Sequence, residues 1–290
     1  MFKPRGAVSQ RMELGPDDPT ATVTAGGAEI PALGFGTARM TGDECRRAVE
    51  TALEVGYRHI DTAQMYDNEA AVGEAIAASD VDRDDVFVVT KVHPDNAAVD
   101  DVLESTRESL ERLGLATVDL LLLHAPSEEA PLEETLAAMN DLQTDGAVDH
   151  IGVSNFSASQ LADATDHSET PIVANQVKYH PYYHQDDLLE FCAEHDICLT
   201  AYSPLAEGAV PGDDRLAEIG DTHGKSAAQV ALRWLIQQPP VAAIPKASSR
   251  AHIETNADVF DFELSDDEME AVTAVGDGVW NQLAAKLGLR

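Results

Sequence analysis

Short apolar runs alternate with longer amphipathic segments along the chain. Eight compact apolar runs predict β-strands, at residues 32–36, 59–61, 86–91, 118–124, 150–154, 172–176, 199–202 and 241–245. Apolar residues recur at helical spacing between and after these runs, over 43–55, 69–78, 99–113, 132–142, 158–164, 186–195, 227–237 and 249–258. Strands that alternate with helices predict a parallel sheet, and the number eight favours its closure into a (β/α)8 TIM barrel over an open doubly wound sheet.

The two ends of the chain differ from this repeat. Residues 21–30, centred on Gly26 and Gly27, predict a β-hairpin. Residues 1–20 are charged and rich in proline, and we expect them to form a mobile N-terminal extension. No stretch after residue 20 has a composition typical of an interdomain linker, so residues 21–290 are predicted to form a single barrel domain that includes the C-terminal segment. Patterns typical of a capping box, at residues 41–44 and 265–268, predict two helix starts.

Acidic residues strongly outnumber basic ones. The 290-residue chain has 52 Asp and Glu against 19 Lys and Arg, a formal net charge of −33, while 44% of its residues are hydrophobic, which is enough for a large core. Nucleic acids and anionic bilayers are bound by clustered cations, so we expect neither as a partner. The acidic residues are spread along the chain, as in proteins from organisms with molar intracellular salt. Because such a charge repels itself unless salt screens it, we predict a fold that requires high salt.

The cysteines and the apolar runs indicate the compartment. Cys45, Cys192 and Cys198 are odd in number and lack a Cys-x-x-Cys spacing, so we expect small buried hydrophobic residues in a reducing compartment. The chain shows no segment typical of a signal peptide and no apolar run long enough to span a bilayer. We therefore expect a soluble, cytoplasmic protein.

Three motifs suggest other functions and fail on their spacing. Gly34 and Gly36 begin like a dinucleotide-binding fingerprint, but Arg39 occupies the place of the third glycine. Residues 224–226 resemble the end of a phosphate-binding loop, yet the earlier glycine of that motif is absent. His180 and His184 have a spacing that could bind a metal, but the proline between them opposes a helix that presents both rings to one ion, so we expect no metal site.

Four polar side chains lie at the predicted carboxyl ends of three consecutive strands. Asp61 ends the second strand and Tyr66 follows it, while Lys91 and His124 end the third and the fourth. In a barrel these ends meet at the rim where barrel enzymes carry out their chemistry. A Lys ammonium lowers the pKa of a neighbouring Tyr, a carboxylate holds that ammonium, and a His can orient a substrate oxygen. The set predicts an acid that protonates an oxygen while hydride is added to a carbonyl carbon.

The same residues fall within motifs that resemble the aldo-keto reductase family. These motifs are GYRHIDTA at 56–63, YDNE at 66–69, IGVSNF at 151–156 and AYSPL at 201–205, and the similarity extends from residue 30 to residue 275. Within the family, residues 61–73 are most similar to bacterial 2,5-diketo-D-gluconic acid reductases. The resemblance implies a (β/α)8 barrel, often monomeric, that binds NADPH in an extended form. It also implies that Tyr66 is the general acid and that Asp61, Lys91 and His124 support it.

The resemblance implies a cofactor site as well. In the family, the positions of Ser154, Asn155 and Gln176 hold the nicotinamide carboxamide, and the position of Tyr202 stacks on the ring. The other matching positions are Ser203 and Leu205 for the pyrophosphate, Lys246 for the 2′-phosphate and Asn256 for the adenine. The family commonly has Ser, Arg and Glu after that lysine, where this chain has Ala247, His252 and Thr255. A histidine holds a phosphate more weakly than an arginine does. Lys246, Ser248 and Ser249 still favour NADP(H), and NAD(H) is the alternative.

The substrate wall also departs from the family pattern. Bulky aromatic residues usually follow the first, third and fourth strands, where this chain has Ala38, His93 and Ala125. Loss of these rings predicts a wider and more polar pocket, and hence hydroxylated or sugar-derived carbonyl compounds as substrates. Trp280 in the C-terminal segment could restore an aromatic face.

Two other functions stay open at this point. A protein of the same shape could bind the cofactor as a regulatory subunit without significant turnover. Lys91 could also act as a Schiff-base nucleophile in a barrel of the aldolase type.

Overall fold

The N-terminal hairpin closes one end of the molecule. The computed structural model describes residues 21–287, with side chains to residue 276, so the predicted extension at 1–20 lies outside the described part. Strands β1 (Thr22–Ala25) and β2 (Ala28–Pro31) pair antiparallel around Gly26 and Gly27, both of which have positive φ. A Cβ on Gly26 would lie 2.9 Å from Val173, near the start of a barrel strand. The predicted hairpin is therefore present, and it covers the N-terminal ends of barrel strands.

Eight parallel strands form the central sheet. In chain order they are β3 (Phe35–Gly36), β4 (His59–Asp61), β5 (Phe87–Val92), β6 (Val118–Leu123), β7 (Val148–Ser154), β8 (Ile172–Lys178), β9 (Cys198–Tyr202) and β10 (Val241–Ala243), and each pairs with the next. The first and last strands meet through a parallel bridge between Leu33 and Ala243, with hydrogen bonds on both sides of it. The sheet therefore closes on itself, and the predicted (β/α)8 barrel is confirmed.

Ten α-helices are assigned within residues 21–287. They are α1 (Gly42–Val55), α2 (Glu69–Ala78), α3 (Val99–Leu113), α4 (Leu132–Thr144), α5 (Ala158–His167), α6 (Asp186–Glu194), α7 (Asp214–His223), α8 (Ala227–Ile236), α9 (Arg250–Ala257) and α10 (Asp266–Leu287). The capping box predicted at Ser265 is present, because its hydroxyl and the carboxylate of Glu268 each accept the other residue's backbone N–H. The helix start predicted at Thr41 is also confirmed, because Thr41 is the N-cap of α1, but its side chain makes no capping hydrogen bond.

The core fills the barrel and the layer between strands and helices. Strand β6 contributes four consecutive leucines, Leu120–Leu123, each at most 1% exposed, because a parallel strand is covered on both faces. Cys45, Cys192 and Cys198 are buried free thiols within this core. Asp61 and Glu69 are the only buried carboxylates among the described side chains, so the acidic excess lies on the surface. None of the helices in residues 21–287 is long and apolar enough to cross a membrane.

Candidate active site

The four predicted catalytic side chains meet at one rim of the barrel. Asp61 is the last residue of β4, Lys91 lies one residue before the end of β5, and His124 follows β6. Tyr66 is carried by a short 3-10 turn, Gln64–Tyr66, that begins three residues after the end of β4. Because the strands are parallel and in register, their carboxyl ends bring these residues to the same opening.

Lys91 and Asp61 form a buried ion pair. Lys91 Nζ lies 2.6 Å from Asp61 Oδ1 and donates a second hydrogen bond, of 2.7 Å, to the backbone carbonyl of Thr62. The two side chains are 0% and 3% exposed, so water does not compete for these bonds. The same ammonium lies 5.0 Å from the centroid of the Tyr66 ring. Lys91 is therefore held in place next to the phenol.

Tyr66 is less acidic than the sequence suggests. Burial raises the pKa of its phenol above the ordinary value of 10.0, while the charge of Lys91 and a hydrogen bond with it lower the pKa, and the carboxylate of Asp61 raises it. The expectation of an unusually acidic phenol is wrong for this structure, because the desolvation of the phenolate outweighs the attraction of the ammonium. Tyr66 consequently keeps its proton at neutral pH.

His124 is a neutral side chain beside this cluster. Burial and the charge of Lys91 lower its pKa to about 4. The ring stands edge-on to Tyr66, with 5.7 Å between the centroids. Its Nδ1 atom is buried and has no hydrogen-bond partner among the described residues. A buried N–H without an acceptor is rarer than a buried acceptor without a donor, so the proton belongs on Nε2, from which it can be donated to an oxygen.

A cleft of about 760 Å³ opens beside Tyr66 and His124. Eleven of the predicted site residues line it: Ala38, Asp61, Tyr66, His124, Ser154, Asn155, Gln176, Tyr202, Ser203, Leu205 and Lys246. The cleft thus joins the predicted acid to most of the predicted cofactor site in one continuous space.

The residues predicted to hold the nicotinamide form one wall of the cleft. The hydroxyl of Ser154 donates to the backbone carbonyl of Gln176 at 2.7 Å, and Tyr202 donates to the amide oxygen of Asn155 at 3.0 Å. The Asn155 amide in turn donates to the backbone carbonyl of His124 at 2.9 Å. These bonds connect the residues of the wall to one another and to the histidine.

The far end of the cleft carries the predicted phosphate contacts. Lys246 is exposed at its rim, and no ion pair involves it within the described part of the chain. Ser248, Ser249 and His252 are exposed beyond it, outside the lining of the cleft, and Ser249 caps α9 by accepting the backbone N–H of His252. Asn256 lies on the same helix and is buried.

Only some of the residues predicted to form the substrate wall line the cleft. Ala38 lines the cleft as predicted. His93 and Ala125 do not line it, since His93 instead starts a 3-10 turn at Pro94–Asn96 and accepts a backbone N–H from it. The backbone of Trp280 lies in α10, and its side chain is outside the described part.

Three polar contacts around the acid are not apparent from the sequence. Asn68 donates to the backbone carbonyls of Thr37 and Met40 and accepts from Thr62, so it ties the loop after β3 to the residue that binds Lys91. Gln64 accepts from the backbone of His93 and from the Asn96 amide. The third is a hydrogen bond of 2.7 Å from Gln176 to Asp61. Asn68 falls inside the YDNE motif, and Asp61 and Gln176 are each predicted site residues, but no sequence signal indicates these contacts.

The two histidines with metal-like spacing are engaged otherwise. His180 Nδ1 accepts the backbone N–H of Tyr182, and His184 Nε2 bonds the carbonyl of Pro181. Within the described residues, no group of three or more His, Cys, Asp or Glu side chains is arranged to hold a metal ion.

Comparison with known proteins agrees with this geometry. The family model described as "Aldo/keto reductase family" matches residues 32–277. An aldo-keto reductase of Mycobacterium marinum is 40% identical over 250 residues, which cover 86% of this chain and 89% of the relative. A glyoxal reductase of Bacillus subtilis is 38% identical over 250 residues, covering 86% and 90% of the two chains. A crystal structure provisionally assigned as a 2,5-diketo-D-gluconic acid reductase B superposes with a TM-score of 0.87 at 48% identity, over 88% of this chain and 91% of that one. This chain therefore belongs to the aldo/keto reductase family and is a carbonyl-reducing, NAD(P)H-dependent oxidoreductase.

Proposed function

We propose that this enzyme adds hydride from NADPH to the carbonyl carbon of an aldehyde, a ketone or a keto-sugar, with Tyr66 as the general acid. The observation that carries the proposal is the buried contact of Lys91 with Asp61, which places a fixed positive charge beside a phenol that lines the cleft. The cofactor supplies the hydride when it is bound, and the side chains of this protein manage the proton.

The raised pKa of Tyr66 suits an acid in the direction of reduction. A general acid must carry its proton when the substrate binds, and burial ensures this at neutral pH. As hydride reaches the carbonyl carbon, the O–H bond of Tyr66 breaks and a new O–H bond forms on the substrate oxygen. The phenolate that remains faces the Lys91 ammonium, so the charge that only partly offsets the effect of burial on the free phenol stabilises the product of proton transfer.

His124 orients the substrate oxygen. Its neutral ring carries a proton on Nε2, and its edge-on packing against Tyr66 directs both donors at the same region of the cleft. A carbonyl oxygen has two lone pairs, so it can accept from the phenol and from the imidazole together. Two donors at one oxygen fix the carbonyl for attack from the opposite wall.

The residues of the cleft fit an extended dinucleotide. Hydrogen-bonding groups of Ser154, Asn155 and Gln176 line the end next to the acid, and the ring of Tyr202 offers a surface for stacking. Lys246 stands at the far end, near the first turn of α9, where the helix dipole and exposed hydroxyls favour a phosphate. This arrangement supports NADP(H). Arg250 does not add to it, because it is paired with Glu54 and Glu254, so use of NAD(H) is the alternative.

We propose hydroxylated or sugar-derived carbonyl compounds as the substrates. Ala38 stands at the position of a bulky ring in the family, and Arg39 and Asn155 contribute polar groups to the same cleft. One solved structure has a name that fits this class, since it is assigned as a 2,5-diketo-D-gluconic acid reductase B. Tighter KM values for aromatic aldehydes than for keto-sugars would contradict the proposal.

A substrate panel in molar KCl, followed by the absorbance of NADPH or NADH, tests the reaction. Tyr66→Phe should lower turnover by about two to four orders of magnitude while the Kd for NADPH is kept. Tyr183→Phe, the same change at an exposed tyrosine outside the cleft, is the control and should leave turnover unchanged. A Tyr66→Phe enzyme with full turnover would exclude the proposed acid, and a wild-type protein that binds NADPH without turnover would indicate a regulatory subunit.

A further inference from the structure

One hydrogen bond crosses the mouth of the barrel between the predicted cofactor wall and the acid. Gln176 Nε2 donates to Asp61 Oδ2 at 2.7 Å, although the two residues are 115 positions apart in the chain. They belong to β8 and β4, which are four strands apart in a ring of eight and hence lie opposite each other. Both residues are at most 3% exposed. A buried bond across the opening connects two sides that the strand ladder itself does not join.

This bond decides how the Asp61 carboxylate is oriented. One carboxylate oxygen accepts from Lys91 and the other from Gln176, so each has a buried donor. Without the amide donor, the second oxygen would be buried and unsatisfied, and the carboxylate would gain by turning both oxygens to the ammonium. That rotation would draw Lys91 toward Asp61 and away from Tyr66.

The backbone that carries this amide is held in place. The backbone carbonyl of Gln176 accepts from the Ser154 hydroxyl at 2.7 Å and from the Asn155 N–H at 2.9 Å. A primary amide has two N–H donors and one carbonyl acceptor, so one N–H on Asp61 leaves the rest of the group free to face the cleft that it lines. A single side chain can thus touch both sides of the reaction.

We propose that Gln176 is a positioning residue of the proton donor, which holds the Asp61 carboxylate so that Lys91 stays against Tyr66, in addition to any contact with the cofactor. The proposal rests on the proposed function of Tyr66 as the acid. It also explains how the group that delivers hydride and the group that delivers the proton are aligned, because one amide would fix both.

Loss of the amide should make Tyr66 a weaker acid. The ionisable groups that face its phenol are Lys91 from β5, Asp61 from β4, His124 after β6 and Tyr202 from β9. Of these, only Asp61 and Lys91 would change when Gln176 loses its N–H. A carboxylate without its donor and an ammonium drawn away from the phenol both raise the pKa of Tyr66.

The test compares Gln176→Met with Lys246→Met. Methionine at 176 has a similar volume and no N–H, whereas the change at 246 weakens cofactor binding at the far end of the cleft. We expect Gln176→Met to lower kcat by about tenfold or more and to enlarge the solvent deuterium isotope effect, because proton transfer becomes slower. Lys246→Met should raise the KM for NADPH without enlarging the solvent deuterium isotope effect, because Lys246 lies at the far end of the cleft from Asp61.

A second readout needs no cofactor. Tyrosine labelled with 13C at Cζ gives one NMR signal for each of the six tyrosines, and Tyr66→Phe identifies the signal of Tyr66. In the cofactor-free protein, Gln176→Met should shift this signal and Lys246→Met should not. In an Asp61→Asn background, Gln176→Met should produce no further shift, since the carboxylate that the amide holds is gone.

The outcomes separate this proposal from the proposed function. An unchanged Tyr66 signal in Gln176→Met, with weaker NADPH binding and a hydride-limited rate, would mean that Gln176 serves the cofactor alone. If Gln176→Met does not fold in molar salt, Gln176→Leu is used in its place, with the same expected results. If neither variant folds while Asp61→Asn does, a role of Gln176 that is confined to positioning would be contradicted. A wild-type protein without carbonyl reduction would overturn the proposed function, while the NMR comparison would still decide the link from Gln176 to Tyr66.

Discussion

Loss of either partner of the Lys91–Asp61 pair should destabilise the fold strongly, and by an amount that hardly depends on salt. The 2.6 Å contact lies between side chains that are 0% and 3% exposed, so removal of one partner leaves an unpaired charge where water cannot reach it. Breaking a buried pair in this way costs about 3–5 kcal/mol. Lys91→Met leaves Asp61 with the Gln176 amide as its remaining side-chain donor, and Asp61→Asn leaves Lys91 with the Thr62 carbonyl.

The double variant distinguishes the pair from two independent losses. Lys91→Met combined with Asp61→Asn removes both charges, so the loss of unfolding free energy should fall short of the sum of the single losses by about 2–3 kcal/mol. Urea unfolding in KCl, followed by far-UV circular dichroism, measures all four proteins. Because a buried pair is screened little, the coupling should stay constant across the salt range in which the wild type is folded.

Arg250→Met is the control for an exposed pair. Its partners are Glu54 and Glu254, and the three side chains are 53–61% exposed, so the loss should be much smaller and should shrink further as salt rises. The reasoning would be refuted if Lys91→Met destabilised the protein no more than Arg250→Met does, or if the two single losses simply added up in the double variant.

Three further results are expected. The acidic surface should make the fold depend on salt, so far-UV circular dichroism should show unfolding in millimolar buffer and recovery in molar KCl, and an unchanged spectrum and Tm in low salt would disprove this. His252→Arg should raise the kcat/KM preference for NADPH over NADH by about tenfold, through a charge-assisted contact with the 2′-phosphate, and Lys246→Met should lower this preference. A wild-type preference of about a thousandfold would show that other residues already compensate for the missing arginine. His124 has a folded pKa of about 4, below its ordinary 6.5, so it should remain neutral until the pH approaches 4 and should not limit reduction between pH 7 and 5. Because His124 is protonated in the unfolded chain at a higher pH than in the folded protein, the free energy of unfolding should decrease as the pH falls from 6.5 to 4. His124→Gln should reduce this decrease in acid unfolding curves.

The helices and strands of the barrel are largely predictable from the periodicity of apolar residues and from the residues that begin or end each element. Helices α2 and α3 match the predicted ranges of 69–78 and 99–113, because each buries a regular apolar stripe. Helix α7 is missing from the predicted ranges, and its buried face is short: Leu216 and Gly220 are buried, and Ala217 and Ile219 are partly buried. The first barrel strand is shorter than predicted, because residues 32–34 hydrogen-bond across to Ala243 and close the ring instead of extending the ladder to β4.

Some features of the candidate site can also be predicted from the sequence, and others cannot. Asp61, Lys91 and His124 can be assigned to one rim from the sequence, because each ends an apolar strand and parallel strands end on the same side. The bond from Gln176 to Asp61 depends on which strands face each other once the ring is closed, and nothing local marks it. His93 was assigned by its place after a strand, and the turn that follows directs it to the backbone of Asp95 instead of the cleft.

Charge and burial act on Tyr66 with opposite signs, and the sequence reveals only the first. A lysine near a tyrosine predicts a lower pKa for the phenol, yet the depth of the site is a property of the whole barrel, and here desolvation is the larger effect. The raised pKa does not weaken the case for Tyr66 as the acid in reduction. A phenol that held its proton loosely would lose it before the substrate arrived, whereas this phenol keeps its proton until charge develops on the substrate oxygen. The positive charge of Lys91 then counts at the moment of transfer, because it stabilises a phenolate that exists only after the proton has left. In the proposed mechanism, catalytic strength therefore depends on how closely Asp61 and Gln176 keep that ammonium against the phenol, because this contact offsets the cost of burying the phenolate.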